Sequence, residues 1–174
     1  MSAADAILYL FCATIVLAAL QDLAQLRISN IFPVMLVVLF GVWLAVVGIE
    51  KDLWENALLF ALSLAIGMFL FSRGWLGGGD VKLLAAIMLW FDLSGGLALV
   101  IYVAIGGGLL ALAFIIARRM IPAPRNGGTR PPALRPRGPI PYGLAIAAGT
   151  LLCVAWHAPN PAPPAAPVKV AQRV

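Results

Sequence analysis

The chain has 174 residues, of which 63% are hydrophobic and only 11% are charged, and its mean hydropathy is +1.00. Soluble domains carry about 25% charged residues, so this composition excludes a soluble globular protein and indicates an integral membrane protein. The net charge of +5 does not indicate nucleic-acid binding, because the sequence has no soluble basic domain to carry it.

Apolar runs close to the roughly 20 residues that span a bilayer core define the predicted helices. In chain order, the long runs cover 3–20, 31–49, 56–72, 97–117 and 141–156. A sixth run, 81–91, is shorter: counted from Asp80 it makes about 12 residues, or roughly 18 Å of helix, against a hydrocarbon core of roughly 30 Å. It should therefore begin below the membrane surface or tilt strongly. The predicted fold class is all-α, a polytopic membrane protein with about six transmembrane helices.

The first run lacks the features of a cleaved signal peptide. Asp5 lies in its n-region, no Lys or Arg precedes the apolar stretch, and no small-x-small site follows it. We therefore expect the first helix to be retained, and we interpret residues 1–157 as one membrane-embedded domain. Residues 158–174 are rich in Pro and Ala and are predicted to form a disordered tail outside the membrane.

Basic residues divide unequally between the two sides of the predicted helices. One side has Lys51, Lys169 and Arg173; the other has Arg27, Arg73, Lys82, Arg118, Arg119, Arg125, Arg130, Arg135 and Arg137. The positive-inside bias makes the second side cytoplasmic and puts both termini outside. Trp54, Trp90 and Trp156 then fall near the outer interface and Trp75 near the inner one, which suits interfacial anchoring, although ordinary packing would explain any single one.

The basic loop at 118–140 contains six arginines, many prolines and no acidic residue. This composition predicts an irregular cytoplasmic segment next to anionic lipid, with substrate docking as the alternative.

The acidic residues also differ in the side on which they fall. Those on the outer side are Asp5, Glu50, Asp52, Glu55 and Asp92, where a solvated carboxylate needs no special role. Only Asp22 and Asp80 lie on the inner side, at helix ends that should approach or enter the membrane. Ionisable groups at that depth are costly and usually face a partner or a wet cavity, which indicates a functional site. The simpler alternatives are an N-cap for Asp80 and a solvated helix end for Asp22.

Glycines directly precede the second of these aspartates. Gly77, Gly78 and Gly79 permit close approach by another backbone, as a peptide substrate would require. A flexible connector would use glycines as well, so this pattern leaves both interpretations open.

Other catalytic groups are few. His157 is the only histidine and lies at the outer end of the last run, so Ser-His, Cys-His and HExxH chemistries lack a base or ligand set. Cys12 and Cys153 are isolated inside predicted helices, and no CxxC pair exists for zinc or redox chemistry.

A Ser-Lys pair is a further possibility for nucleophilic catalysis. Ser29 or Ser72 could pair with Lys82, but Lys82 is more simply explained as a positive-inside anchor. Elimination therefore leaves the two inner carboxylates.

Three segments carry further information when they are taken together. Gly77-Gly78-Gly79-Asp80 fits the pattern G-x-G-D, residues 22–30 read DLAQLRISN, and residues 141–149 read PYGLAIAAG. The first resembles the G-x-G-D motif of the type IV prepilin peptidases, the second resembles their D-x-x-x-x-x-I-P-N motif, and the third resembles their late proline-glycine helix. Ser29 stands where that family commonly has proline, which leaves φ free and restores an N–H donor.

The resemblance implies an intramembrane aspartic endopeptidase of the bacterial inner membrane that removes the cytoplasmic leader from prepilin or pseudopilin precursors. It makes Asp22 and Asp80 the catalytic pair, with the active site facing the cytoplasm. The implied supporting residues are Gly77, Gly78, Gly79, Asn30, Lys82, Pro141, Tyr142 and Gly143.

The larger members of this family carry a cytoplasmic, cysteine-bearing region linked to N-methylation, and this chain has no such region. It resembles the short, peptidase-only branch associated with Flp/Tad pili. We therefore expect no cofactor, no metal and no methyltransferase activity.

Hydrolysis of an amide by two carboxylates requires one ionised group, to take a proton from water, and one protonated group, to bind the carbonyl. Two like charges a few ångströms apart do not both ionise, so proximity itself favours this split. The position of Asp80 at a helix N-terminus favours it as the ionised member. The alternative function is a non-enzymatic carrier or assembly subunit with a proton or cation site at the two aspartates.

Overall fold

The fold consists of helices throughout the part of the chain that the computed structural model describes, residues 2–48, 53–120, 138 and 140–157. The helices are α1 (Ala3–Gln25), α2 (Ile31–Val47), α3 (Leu53–Ser72), α4 (Gly78–Met88), α5 (Leu93–Met120) and α6 (Tyr142–Trp156). The described segments contain no strand, which confirms the predicted all-α fold. Residues 49–52, most of the basic loop (121–137) and the tail (158–174) fall outside the described residues, together with what was expected of them.

Three of the helices, α1, α3 and α5, are long and apolar enough to cross a membrane, and α2 and α6 are shorter apolar helices. Large apolar side chains cover their outer surfaces: Ile66 on α3 is 59% exposed, and Leu109 on α5 is 64% exposed. In water such a continuous surface would drive association, whereas lipid tails solvate it. The helices therefore form a bundle suited to a bilayer.

The short helix α4 lies inside this bundle. It packs against α2, α3 and α6, while α6 also contacts α1 and α5. Two glycines allow the closest of these approaches, because a Cβ on Gly67 would lie 2.5 Å from Val81 of α4 and one on Gly149 would lie 2.8 Å from the backbone N of Val103 on α5. The sequence pattern thus places small residues where α3 meets α4 and where α5 meets α6.

Trp90, expected at the outer interface, is instead buried in the core with no exposed surface. Its ring centroid lies 4.5 Å from that of Phe11, and the rings of Phe40 and Trp43 pack edge-on against it. Its Nε1–H donates to the carbonyl oxygen of Leu36 at 3.2 Å. Because α4 has only 11 residues, it ends within the bundle, and the indole two residues beyond its end packs into the core.

The end of α4 is held by a buried amide from α3. The Nδ2 of Asn56 donates to the carbonyl oxygens of Leu89 and Phe91, both at 3.0 Å, and Asn56 is almost fully buried. The last carbonyls of a helix have no partner within the helix, so a buried helix end needs such a donor. The side chain of Asn56 allows α4 to stop short of the far side of the bundle.

Carboxylates expected only to be solvated have structural roles at helix starts. Asp5 forms a capping box with Ser2 at the start of α1. At the start of α5, Oδ1 of Asp92 accepts the N–H of Gly95 at 2.8 Å, and Oε2 of Glu55 accepts the N–H of the first residue of that helix at 3.1 Å. Each bond satisfies a backbone donor that the helix itself leaves free.

Candidate active site

A cavity of about 310 Å³ opens where α1 ends and α4 begins. Asp22 and Asp80 both line it, together with residues 26–28 and the three glycines at 77–79. The two aspartates are 58 positions apart in the sequence, so their meeting is a product of the helix packing (80 − 22 = 58). The structure thus brings the predicted catalytic pair and the glycine segment to one site.

Asp22 lies in the last turn of α1 and is only 5% exposed. Its Oδ2 accepts the backbone N–H of Gly143, near the start of α6, at 2.8 Å. A Cβ on Gly143 would lie 2.9 Å from both Oδ2 and Cβ of Asp22, so only glycine allows this contact without displacement. The proline-glycine segment therefore contributes a backbone donor to the site, while Pro141 is fully buried just before α6.

Asp80 is the third residue of α4, and Gly77 is the residue that caps the helix. The interpretation of Asp80 as an N-cap is therefore wrong. Within the described residues its Oδ1 is buried without a hydrogen-bond partner. Its Oδ2 occupies the space beside Gly77, where a Cβ would lie 2.6 Å away. Asp80 thus presents an unsatisfied oxygen in the cavity that it shares with Asp22.

The other two glycines belong to the first turn of α4 and do not form a flexible connector. A Cβ on Gly79 would lie 3.0 Å from both the Cβ and the carbonyl oxygen of Ile28, in the loop between α1 and α2. A Cβ on Gly78 would lie 3.4 Å from the ring of Phe71. The missing side chain at 79 lets the first turn of α4 touch the segment that follows Asp22, which brings the two carboxylates to one cavity.

Lys82 and Asn30 are paired with each other next to this cavity. The Nζ of Lys82 donates to Oδ1 of Asn30 at 3.0 Å, and both side chains are exposed. Both border a separate apolar cavity of about 390 Å³ between α2, α3 and α4. Tyr142 lies toward α5, with its ring 3.9 Å from the position of a Cβ on Gly107. These three residues do not line the cavity of the aspartates, and their supporting role stays a prediction.

The sequence did not indicate the loop residues that complete the site. Leu26 ends α1 in the left-handed conformation, with φ of 55°, and donates its N–H to the carbonyl oxygen of Asp22 at 2.7 Å. Leucine gives no signal for such a position, which is usually Gly or Asn. Arg27, assigned only a topological role, also lines the cavity.

The departure from the family pattern at Ser29 has a local explanation. Its backbone N–H donates to Oε1 of Gln21 at 2.8 Å, a bond that a proline could not form. Its Oγ is 3.4 Å from the N of Ile31, at the start of α2. These bonds hold the loop without the rigid ring of proline.

The groups set aside by elimination lie away from the cavity. Cys12 lies within α1 and Cys153 within α6, and the Sγ of Cys153 is 3.5 Å from the carbonyl oxygen of Gly95. His157 follows the far end of α6 and packs near the ring of Tyr102. Among the described residues, no three His, Cys, Asp or Glu side chains come together as metal ligands would.

Comparison with known proteins identifies the family. The sequence model of the type IV leader peptidase family matches residues 9–112, which is more than half of the chain and includes both aspartates and the glycine segment. No curated protein and no solved structure gave a significant match. The chain therefore belongs to the type IV leader peptidase family and is a leader-peptidase-like membrane protease.

Proposed function

We propose that the protein is an intramembrane aspartic endopeptidase that removes the cytoplasmic leader from prepilin or pseudopilin precursors of the Flp/Tad type. The observation that carries this proposal is that Asp22 and Asp80 line one cavity of about 310 Å³. Family membership supports the peptidase activity, and the position of the carboxylates supports the choice of catalytic groups.

The cavity suits hydrolysis by a pair of carboxylates. A water molecule needs roughly 30 Å³, so the cavity has room for the attacking water and for part of a peptide. One carboxylate takes a proton from the water while the other donates to the carbonyl oxygen of the scissile bond. Asp22 is buried and Asp80 is partly buried, which strengthens their electrostatic effect on the developing charges.

The surroundings of the cavity offer a path for an extended peptide. The glycines at 77–79 form a wall without side chains, against which a substrate backbone could lie. A second cavity of about 380 Å³, bordered by Gln21, Gln25 and residues 27–30, shares Arg27 and Ile28 with the first. This second, polar cavity has space for the part of the substrate peptide on one side of the scissile bond.

The inner, cytoplasmic orientation is proposed from charge. Arg27 and Arg73 follow the ends of α1 and α3, and Arg118 and Arg119 lie in the last turn of α5. The positive-inside bias places such residues in the cytoplasm. Arg118 donates to the carbonyl oxygen of Gly138 at 2.7 Å, which ties the end of α5 to the segment before α6. We propose that anionic lipid binds near this basic end. The protein would act without a cofactor and without methylating the product.

Co-expression with a candidate prepilin in a host without its own prepilin peptidase tests the proposal. The wild-type protein should convert the precursor to a faster-migrating mature form, and Asp22→Asn or Asp80→Asn should leave the precursor intact. Asp92→Asn is the matched control, because Asn retains an oxygen that can accept the N–H of Gly95. A carrier or assembly subunit would cleave nothing and would show ion-coupled flux. Full processing by both aspartate variants would contradict the proposal.

A further inference from the structure

The two carboxylates of the proposed catalytic pair have different hydrogen-bond surroundings. Oδ2 of Asp22 accepts the N–H of Gly143 at 2.8 Å, at the start of the 15-residue helix α6. Asp80 accepts the backbone N–H of Gly77, but its Oδ1 is buried and has no hydrogen-bond partner within the described residues. The pair is therefore asymmetric even before a substrate binds.

This asymmetry favours different protonation states. A backbone N–H that donates to a carboxylate stabilises its ionised form, and the N-terminus of a helix adds to that effect. A buried carboxylate oxygen without a donor is costly when it is charged, and a proton on that carboxyl removes much of the cost. The start of α4 also favours negative charge at Asp80, but the unsatisfied Oδ1 weighs against it.

We infer that Gly143 is a positioning residue that holds Asp22 as the ionised base, and that Asp80 carries the proton and acts as the acid. This inference rests on the proposed function. It reverses the expectation from sequence, in which the helix N-terminus at Asp80 made it the ionised member. The reversal follows from the unpartnered Oδ1 of Asp80 and from the contact between α1 and α6, neither of which sequence spacing shows.

The other charged and titratable groups near Asp22 are consistent with this assignment. Asp80 is the carboxylate that faces it from α4, and Arg27, from the loop after α1, borders the same cavity. Tyr142 of α6 adjoins Gly143 but lies toward α5. Lys82 does not line the cavity. Arg27 borders the cavity that the two carboxylates share, and each carboxylate accepts one backbone N–H, from Gly143 or Gly77. The buried Oδ1 of Asp80, which has no partner within the described residues, is what distinguishes the two.

The assignment gives a balanced reaction. Asp22 takes a proton from water as the water oxygen bonds to the carbonyl carbon, and Asp80 gives its proton to the carbonyl oxygen. Asp22 then gives its proton to the leaving nitrogen as the C–N bond breaks, and Asp80 regains a proton from one hydroxyl of the tetrahedral intermediate. The products are a carboxylic acid and an amine, and both aspartates return to their starting states.

Labelling with dicyclohexylcarbodiimide tests the assignment on the purified full-length protein at neutral pH, because this apolar reagent adds to protonated carboxyl groups and not to ionised ones. Peptide mass mapping should find the stable N-acylurea on Asp80 and not on Asp22, and Asp80→Asn should remove it. Label on Asp22 alone, equal label on both residues, or label on neither would overturn the inference. Asp92, bonded at the start of α5, serves as an internal carboxylate that should stay unlabelled.

A pair of glycine variants tests the positioning role. In Gly143→Ala the new Cβ pushes Asp22 away from the N–H, so labelling of Asp22 should rise several-fold. In Gly108→Ala the new Cβ meets open space, and the labelling pattern should not change. Unchanged labelling of Asp22 in Gly143→Ala would refute the positioning role. If that variant fails to fold, the wild-type pattern still decides which aspartate carries the proton.

The labelling needs no cleavage, so its outcome is separable from that of the proposed function. A protein that leaves every prepilin intact but is labelled at Asp80 would refute the peptidase proposal and retain the protonation assignment. A protein that cleaves prepilin but is labelled at Asp22 would support the peptidase proposal and refute the protonation assignment.

Discussion

The backbone N–H of Gly143 donates to Oδ2 of Asp22 at 2.8 Å and joins two residues that are 121 positions apart. The bond links α1 to α6, and the absence of a side chain at 143 makes it possible. Gly143 lies beyond the segment that matches the family model, yet it contacts one of the two carboxylates directly. The site is therefore built from both ends of the chain.

Replacing either aspartate should remove nearly all activity. With the purified enzyme and a prepilin peptide, Asp22→Asn and Asp80→Asn should each lower kcat by at least roughly 1,000-fold, because residues that act as a unit are strongly non-additive. The double variant should be little slower than either single one. A double variant slower by the product of the two single effects would show that the carboxylates act independently.

A side chain at position 79, in the first turn of α4, should lower activity. Gly79→Ala places a Cβ 3.0 Å from the backbone oxygen of Ile28, so α4 must shift away from the loop that follows Asp22. The contact requires a shift of a few tenths of an ångström. Since a displacement of about 1 Å at reacting groups can cost roughly 100-fold in rate, we expect this smaller shift to lower kcat several-fold. Gly41→Ala on α2 meets nothing within 4 Å and should retain wild-type activity. Equal activity of the two variants would exclude this role for Gly79.

The contact between α5 and α6 should control stability. Gly149→Ala places a Cβ 2.8 Å from the backbone N of Val103, which is an overpacked position and should cost about 1–3 kcal/mol. Thermal unfolding in detergent should show a lower Tm. Gly108→Ala, in open space on α5, should be neutral or slightly stabilising, since alanine favours helix by up to about 1 kcal/mol over glycine. A Tm for Gly149→Ala at or above that of Gly108→Ala would contradict the packing argument.

The positive-inside pattern predicts which end of the bundle faces the cytoplasm. In a background without the native cysteines, Arg73→Cys and Arg125→Cys should be protected from a membrane-impermeant maleimide added outside the cell, while Trp54→Cys should be labelled. Arg73 and Trp54 are both exposed and lie at opposite ends of α3, so they form a matched pair. Strong labelling of Arg125→Cys from outside would reverse the topology and turn the cavity away from cytoplasmic leaders.

The mature product should keep an unmodified N-terminus. The proposed function is cleavage without methylation, and the two cysteines of the sequence form no CxxC pair. Intact-mass analysis of pilin processed by this protein should therefore give the mass of the cleaved chain alone. A stoichiometric increase of one methyl group that depends on this protein would show a second activity.

Local sequence determined the helices and the membrane character of the protein. In a bilayer every backbone group needs a partner within its own segment, so runs of apolar residues become helices with little influence from their neighbours. The predicted runs accordingly lie within or close to α1, α2, α3, α5 and α6, and 81–91 marked the short α4. The order of the aspartate and glycine motifs indicated the family, because motifs are local patterns as well.

Tertiary structure alone decided what surrounds those motifs. The burial of Trp90, the bonds from Asn56 to the end of α4 and the left-handed Leu26 each depend on which helices are neighbours. So does the donation from Gly143 to Asp22, since neither residue carries a local sign of the other. The hydropathy of a segment indicates whether it lies in lipid or in water. The protonation state of a buried carboxylate depends instead on hydrogen-bond donors that packing brings from distant parts of the chain.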